Sequence, residues 1–299
     1  MTADALPQDQ STWQEKFLQR LKWVIYAFLC INFFYYWYED WSNAQFTLTA
    51  TSSFGDWVSA YAATWDFISW MVLIAVYEIE TYWLEDDFDN QVVIWAMNLT
   101  KAICYGLILR TTYAYIGNLN DVMTVTQIPD VSDLCSLANQ NYAFLRNLAY
   151  TEVNLETCLQ IPYAGDFYLY PREPVITDTA GLTEDITLRR ADLIENISWL
   201  MVVAMIELTV QLQNRGYHEG KAIAWSNGLK LAAYLTIAGA AVYWFSKGHY
   251  MYAWDEFVWI AGFAALDVNL SEWRHELEEE EEYEAELEAQ KAGDAADIS

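Results

Sequence analysis

The sequence predicts an all-α, polytopic membrane protein: six transmembrane helices arranged as three pseudo-repeated two-helix hairpins, with an irregular extracytoplasmic insertion. Three observations carry this. Six apolar runs, roughly 18–38, 57–84, 92–116, 192–213, 222–246 and 250–271, each approach or exceed the ~20 residues that cross a bilayer. Aromatic clusters such as Tyr35-Tyr36-Trp37-Tyr38, Tyr82-Trp83 and Tyr243-Trp244-Phe245 mark run ends as interfacial belts do. One polar pattern recurs inside the runs, where ionisable groups are costly.

Residues 1–17 form a polar lead-in without the hydrophobic core of a cleaved signal, so the first span is expected to be retained. Residues 18–117 hold the first three spans, joined by a polar loop over 39–56 and a tight acidic turn at Glu85, Asp86, Asp87 and Asp89. Residues 118–190 are the insertion, broken into short pieces by Pro129, Pro162, Pro171, Pro174, Gly165 and Gly181, with one possible helix over Leu137 to Leu148. It is expected to be a cap without a large core of its own. Residues 191–271 hold the last three spans, and 272–299 form an acidic cytoplasmic tail containing the unbroken run Glu278 to Glu282.

The repeat organises these spans. Asp66, Trp70, Ala75 and Glu78 return as Glu195, Trp199, Ala204 and Glu207, and again as Asp255, Trp259, Ala264 and Asp267. Asn98, Lys101 and Tyr105 return as Asn227, Lys230 and Tyr234, and more weakly as Gln19, Lys22 and Tyr26. One constant offset lays residues 56–116 on 185–245 without a gap. The unit is an acidic helix, a tight turn and a basic helix; the third copy is split between the sixth span and the first.

Helical spacing puts Asn98, Lys101 and Tyr105 on one face, and the same holds for their counterparts. Equal distance from the shared turn pairs Glu78 with Lys101 and Glu207 with Lys230; symmetry pairs Asp267 with Lys22. Asp66, Glu195 and Asp255 lie ~18 Å further along their helices. These acids are candidate ligands or relays for a proton or small cation, and the lysines, asparagines and tyrosines candidate gates or charge partners. The same pairs could equally fix helix register. Trp70, Trp199 and Trp259 read as packing or belt residues, and Ala75, Ala204 and Ala264 as small residues permitting close helix approach.

The formal charge of −27 argues against nucleic acid as a partner. Basic residues Lys16, Arg20, Lys22, Arg215, Lys221 and Arg274 fall on one side, so both termini are expected in the cytoplasm, with a bacterial inner membrane the simplest location. Cys135 and Cys158 share the outer insertion and form a candidate disulfide; Cys30 and Cys104 lie within spans. His218, His249 and His275 form no pair within a span, and no zinc spacing, Walker loop or dinucleotide fingerprint occurs, so no cofactor or metal is expected. The three two-helix repeats resemble those of mitochondrial carriers in number alone, since the carriers' proline-acid-basic signature is absent. The expected function is transport of protons or small cations, as a channel or ion-coupled carrier. The alternative is a structural or assembly subunit of a membrane complex. The bilayer and either other membrane subunits or further copies of the chain are the expected partners.

Overall fold

In the computed structural model the described residues are 8–82, 90–213, 215, 217 and 220–263. The helices are α1 (Gln8–Thr47), α2 (Phe54–Ala60), α3 (Ala62–Tyr82), α4 (Gln91–Met123), α5 (Thr179–Gln213), α6 (Lys221–Ser246) and α7 (250–263). Four of them, α3 to α6, contain stretches long and apolar enough to cross a membrane. α1 has the length, 40 residues, but its central part is rich in Tyr and Trp rather than aliphatic residues, and it falls outside that set. The tight turn at 85–89, Asp267 and the acidic tail lie outside the described residues.

Local sequence sets the helix starts. Ser53 and Asp56 form a reciprocal capping box that opens α2. Asn90 caps α4 through a 3.2 Å bond accepted from the Val92 amide. Residues 39–56 are therefore not one loop: α1 runs on to Thr47, and α2 begins at Phe54, eight residues before α3, the helix that carries Asp66.

Two units make up the chain. In the one containing 8–29 and 254–263, Phe28 meets Trp254 edge to face at 5.2 Å. A Cβ built on Gly262 would lie 3.4 Å from Ile25, an ordinary packing distance, so α1 and α7 are in contact here. In the other, Cys30–Ala253, α3 packs on α4, α4 on α5 and α5 on α6. Ile108, Val202, Ile237 and Leu73 are buried to 2% exposure or less along these contacts.

The insertion differs from the expectation in both extent and architecture. α4 continues to Met123 and α5 starts at Thr179, which shortens it at both ends relative to 118–190. Between them lies a five-stranded mixed sheet, not irregular chain: β1 (Thr126–Gln127), β2 (Ala143–Arg146), β3 (Ala149–Glu152), β4 (Phe167–Leu169) and β5 (Val175–Asp178), in the order β1-β4-β5-β2-β3. The protein is thus mostly helical but not all-α. Leu137 to Leu148 is no helix; it is the end of a 3-10 turn at Leu134–Leu137 followed by β2. The strands are two to four residues long, too short for their alternation to stand out against the prolines.

The sheet has its own core of Leu134, Leu137, Phe144, Val153, Phe167 and Ile176, with Cys158 buried among them and bonded to Cys135. Asn147 and Leu148, both at positive φ, make the two-residue turn between β2 and β3. That tip is docked: Asn147 donates to the Lys247 carbonyl at 3.1 Å, and Leu148 packs against Leu188, Ala241, Trp244 and Ala253. The tertiary contact made by Leu148 accounts for a leucine in a conformation normally left to glycine or asparagine.

β5 runs directly into α5, and buried charge fixes the junction. Tyr170 donates to Asp185 at 2.5 Å, and Arg189 approaches the other Asp185 oxygen at 3.3 Å. Burial and the adjacent carboxylate raise the Tyr170 phenol, so it stays protonated. Glu173 faces Arg189, Asp121, Arg172 and Asp185, and burial raises its carboxyl from 4.5 to about 7. A raised acid holds an extra proton in the folded state, so its stabilising contribution is present below pH 4.5 and is lost as pH rises through about 7. Amide exchange of β5 in the wild-type protein should therefore quicken from pH 5 to pH 8 beyond its intrinsic increase. Glu173→Gln should flatten that excess; an identical profile in the variant would contradict the assignment.

Candidate functional site

Within Cys30–Ala253 the polar side chains of the spans lie at two levels, ~18 Å apart by the helical rise from Glu195 to Glu207. At the level nearer the sheet, Asp66 accepts from Thr111 of α4 at 2.8 Å and from Trp70 of its own helix at 3.1 Å. Glu195 accepts from the Trp244 indole of α6 at 2.6 Å. The neighbouring Asn196 accepts from Thr112 at 2.6 Å. Asp66 and Glu195 are within electrostatic range of each other. Equal spacing along the repeats puts both acids at one depth, and their helices bring them into one electrostatic neighbourhood.

This level holds more acids than the repeat disclosed. Asp192, one turn before Glu195, interacts with Glu195, Asp185 and Glu39, and with the cation of Arg189. Glu39 accepts from Tyr252 at 2.8 Å, and Asp40 accepts from both the amide and the hydroxyl of Thr64, at 2.8 and 2.7 Å. Tyr115 stands amid Asp66, Asp192, Asp40 and Glu195. A signal for Tyr115 existed: the constant offset that aligns the hairpins lays it on Trp244, which binds Glu195. Glu39 and Asp40 were hidden because α1 extends past the end of its apolar run.

At the far level, Glu207 of α5 is gripped by two tyrosines from other helices. Tyr77 of α3 donates to it at 2.5 Å and Tyr105 of α4 at 3.1 Å, and the two phenol oxygens are themselves 2.5 Å apart. The Lys101 ammonium sits over the Tyr77 ring, 5.7 Å from its centroid. Sequence spacing singled out Glu207, Tyr105 and Lys101, but not that members of different repeats would meet. Tyr77 was missed altogether; its equivalent in the second repeat is Ile206, so the pattern carried no trace of it.

Other candidates fall elsewhere. Asn98 and Asn227 are exposed, although Lys101 and Lys230 one turn away are half-buried. Ala75 and Ala204 are exposed as well, so neither is buried against another helix among the described residues. Trp70, Trp199 and Trp259 are buried, as packing residues are, rather than placed at a rim. Tyr234 meets Trp199 edge to face at 6.3 Å. Asp255 is buried in the other unit, and Lys22 and Tyr26 of that unit are half-buried. Asp267 and Gln19 have no described side chain.

Between the two levels, buried apolar side chains pack among α3, α4, α5 and α6. Leu73, Ile108, Val202 and Ile237 occupy repeat-equivalent positions, ~8–11 Å sheetward of Glu78 and Lys101 by helical rise. Among the described residues no three Asp, Glu, His or Cys side chains are grouped so as to hold a metal ion. The arrangement is chemically suited to passing protons among carboxyls, phenols and hydroxyls.

Comparison with protein-family models, with curated proteins and with solved structures finds no match.

Proposed function

We propose that this chain is a multi-pass membrane transport protein that moves protons, or secondarily small cations, between two levels of intramembrane carboxylates. The observation that carries the proposal is the Tyr77–Glu207–Tyr105 cluster beneath Lys101, separated by one apolar layer from Asp66 and Glu195. Hydrogen-bonded carboxyl and phenol groups can relay protons, and a dry layer between two such groups can gate by wetting. In this reading Glu78 and Glu207 form the inner acid level and Asp66 and Glu195 the outer one, with Asp255 and Asp267 proposed for the same ion-handling role by sequence repeat alone. Both termini are cytoplasmic, and the disulfide-bearing sheet faces an oxidising compartment such as the bacterial periplasm.

A pseudo-threefold bundle of six spans is part of the proposal. Burial at equivalent positions supports it. Ile25, Cys104 and Ala233 are all buried, as are Leu29, Ile108 and Ile237. On the acidic helices the same holds for Ser69, Ser198 and Val258, and for Trp70, Trp199 and Trp259. Equivalent burial of dissimilar residues reflects a shared helix orientation rather than shared chemistry.

The test is flux in liposomes containing the purified protein. A pH gradient should decay through the wild-type protein, and Glu78→Gln with Glu207→Gln should abolish the decay. Tyr77→Phe alone should slow it by about 10²–10⁴-fold, the range for loss of one proton-transfer group. Wild-type protein that passes neither protons nor sodium nor potassium would remove the transport reading.

A second reading is favoured by the donors that bind each acid. Thr111 on Asp66, Trp244 on Glu195, and Tyr77 with Tyr105 on Glu207 all tie one helix to another. In a structural or assembly subunit these bonds would only fix packing. Glu207→Gln would then lower stability in a wild-type background that shows no flux, and the protein would co-purify with other membrane chains.

A further inference from the structure

At the sheet-bearing end a cavity of about 560 Å³ opens between α2, the last turns of α4 and the chain following β4. Its charged lining is Arg110, Arg172, Asp56 and Asp121. These four are not equivalent. Arg172 is bound to Asp121 through two of its nitrogens. Asp56 is held by the Ser53 amide and hydroxyl at 2.7 and 2.8 Å. Those bonds lower its carboxyl below the usual range, so it is ionised at neutral pH.

Arg110 has no carboxylate partner among the described residues. Its Nη2 only touches the Gly55 carbonyl and the Ser59 hydroxyl at 3.5 Å, and its buried Nη1 has no hydrogen-bond partner. The guanidinium lies 5.5 Å from the centroid of the Tyr113 ring. An arginine that lines a cavity beside an apolar helix, with its Nη2 making only limiting 3.5 Å contacts, is available to an anionic acceptor entering that cavity. The surroundings are those of a membrane boundary: Phe54, Trp57 and Tyr113 are exposed around the cavity, Phe54 to 85%.

We infer that this cavity seats a phosphate-bearing zwitterionic headgroup, its phosphate on Arg110 and its ammonium toward Asp56. Phosphate supplies the planar guanidinium with strong acceptors, and a charge-balanced cavity suits a zwitterion better than an anion of net charge. The cavity opens on the aromatic rim where the headgroups of an adjoining leaflet would lie, so a membrane phospholipid is the expected source and a soluble phosphoamine the other. The inference rests on α4 crossing a membrane but not on flux, and a protein without transport activity would still bind the lipid.

Native mass spectrometry of the full-length protein in detergent tests it, with phosphatidylethanolamine, phosphatidylglycerol and diacylglycerol added in turn. Wild-type protein should retain phosphatidylethanolamine at least about tenfold over diacylglycerol, and Arg110→Gln should lose that margin, as expected for one charge-assisted contact. Asp56→Asn, whose cap can still be made by an amide, should retain phosphate binding but lose the preference for phosphatidylethanolamine over phosphatidylglycerol. Displacement of bound lipid by equimolar phosphoethanolamine would support the same headgroup chemistry with a soluble source. Equal retention of diacylglycerol, or unchanged phosphatidylethanolamine binding in both variants, would overturn the assignment.

Discussion

Asp178→Ala should destabilise the β5–α5 junction by about 3–5 kcal/mol, the cost of leaving two backbone amides and a partly exposed guanidinium without their shared acceptor. The Asp178 side chain is fully buried and accepts from three donor nitrogens. It accepts from Arg146 on both oxygens at 2.8 and 2.7 Å, from the Ala164 amide at 2.6 Å, and from the Gly181 amide at 2.8 Å. The last bond also caps α5. Alanine would leave the guanidinium and two amides unsatisfied at once. Amide exchange in β2 and β5 should accelerate about 10²–10⁴-fold, following that energy at 1.36 kcal/mol per decade. Asp178→Asn, which retains acceptors but not charge, should cost about 1–3 kcal/mol. If exchange in the alanine variant rises less than tenfold, the ion pair is peripheral to the sheet's stability. Because β5 enters α5 without a loop, this junction also sets how the sheet rests on the helix that carries Glu195 and Glu207.

Loss of the Cys135–Cys158 disulfide should cost the sheet about 3.4 kcal/mol, from the entropy of closing a loop of that length. The bond spans a sequence separation of 23 and closes the segment containing β2 and β3. The sheet lies between Met123 and Thr179, a length at which an apolar core alone is marginal. Cys158→Ser, Cys135→Ser and reduction with dithiothreitol should therefore produce the same acceleration of exchange in β2, β4 and β5. The spans should be indifferent, since Cys30 and Cys104 are free thiols. A double variant as protected as the wild type would show that the small core suffices without the cross-link.

The helical part of the fold was legible because its signals are long. An apolar run of twenty residues is a strong pattern even without an alignment, and α3 to α6 each fall on one of the expected runs, although α4 continues past its run to Met123 and α5 begins well before its run at Thr179. The sheet was not legible. Its strands are two to four residues long, set between prolines, and its order places β1 next to β4 and β5 between β4 and β2. Pairing between segments distant in sequence leaves no local periodicity.

The candidate site divides along the same line. Repeat spacing put Asp66 and Glu195 at one depth and Glu78, Glu207 and Lys101 at another, because depth along a helix is fixed by residue count. Which helix faces which is not fixed by count. Tyr77, Glu39, Asp40 and Arg189 entered the polar levels through helix orientation, and Asn98 and Asn227 turned outward for the same reason.

The sequence alone determined that the chain is rich in membrane-length helices, that charged residues recur at matched heights in them, and that two cysteines share one insertion. Tertiary structure alone decided that Glu207 meets tyrosines of two other helices, that an apolar layer separates the acid levels, and that Arg110 is left with an unmatched donor beside a cavity. Composition and spacing act along one chain segment at a time, whereas hydrogen-bond partners and cavities arise from the rotation of packed helices about their axes, which no single segment encodes.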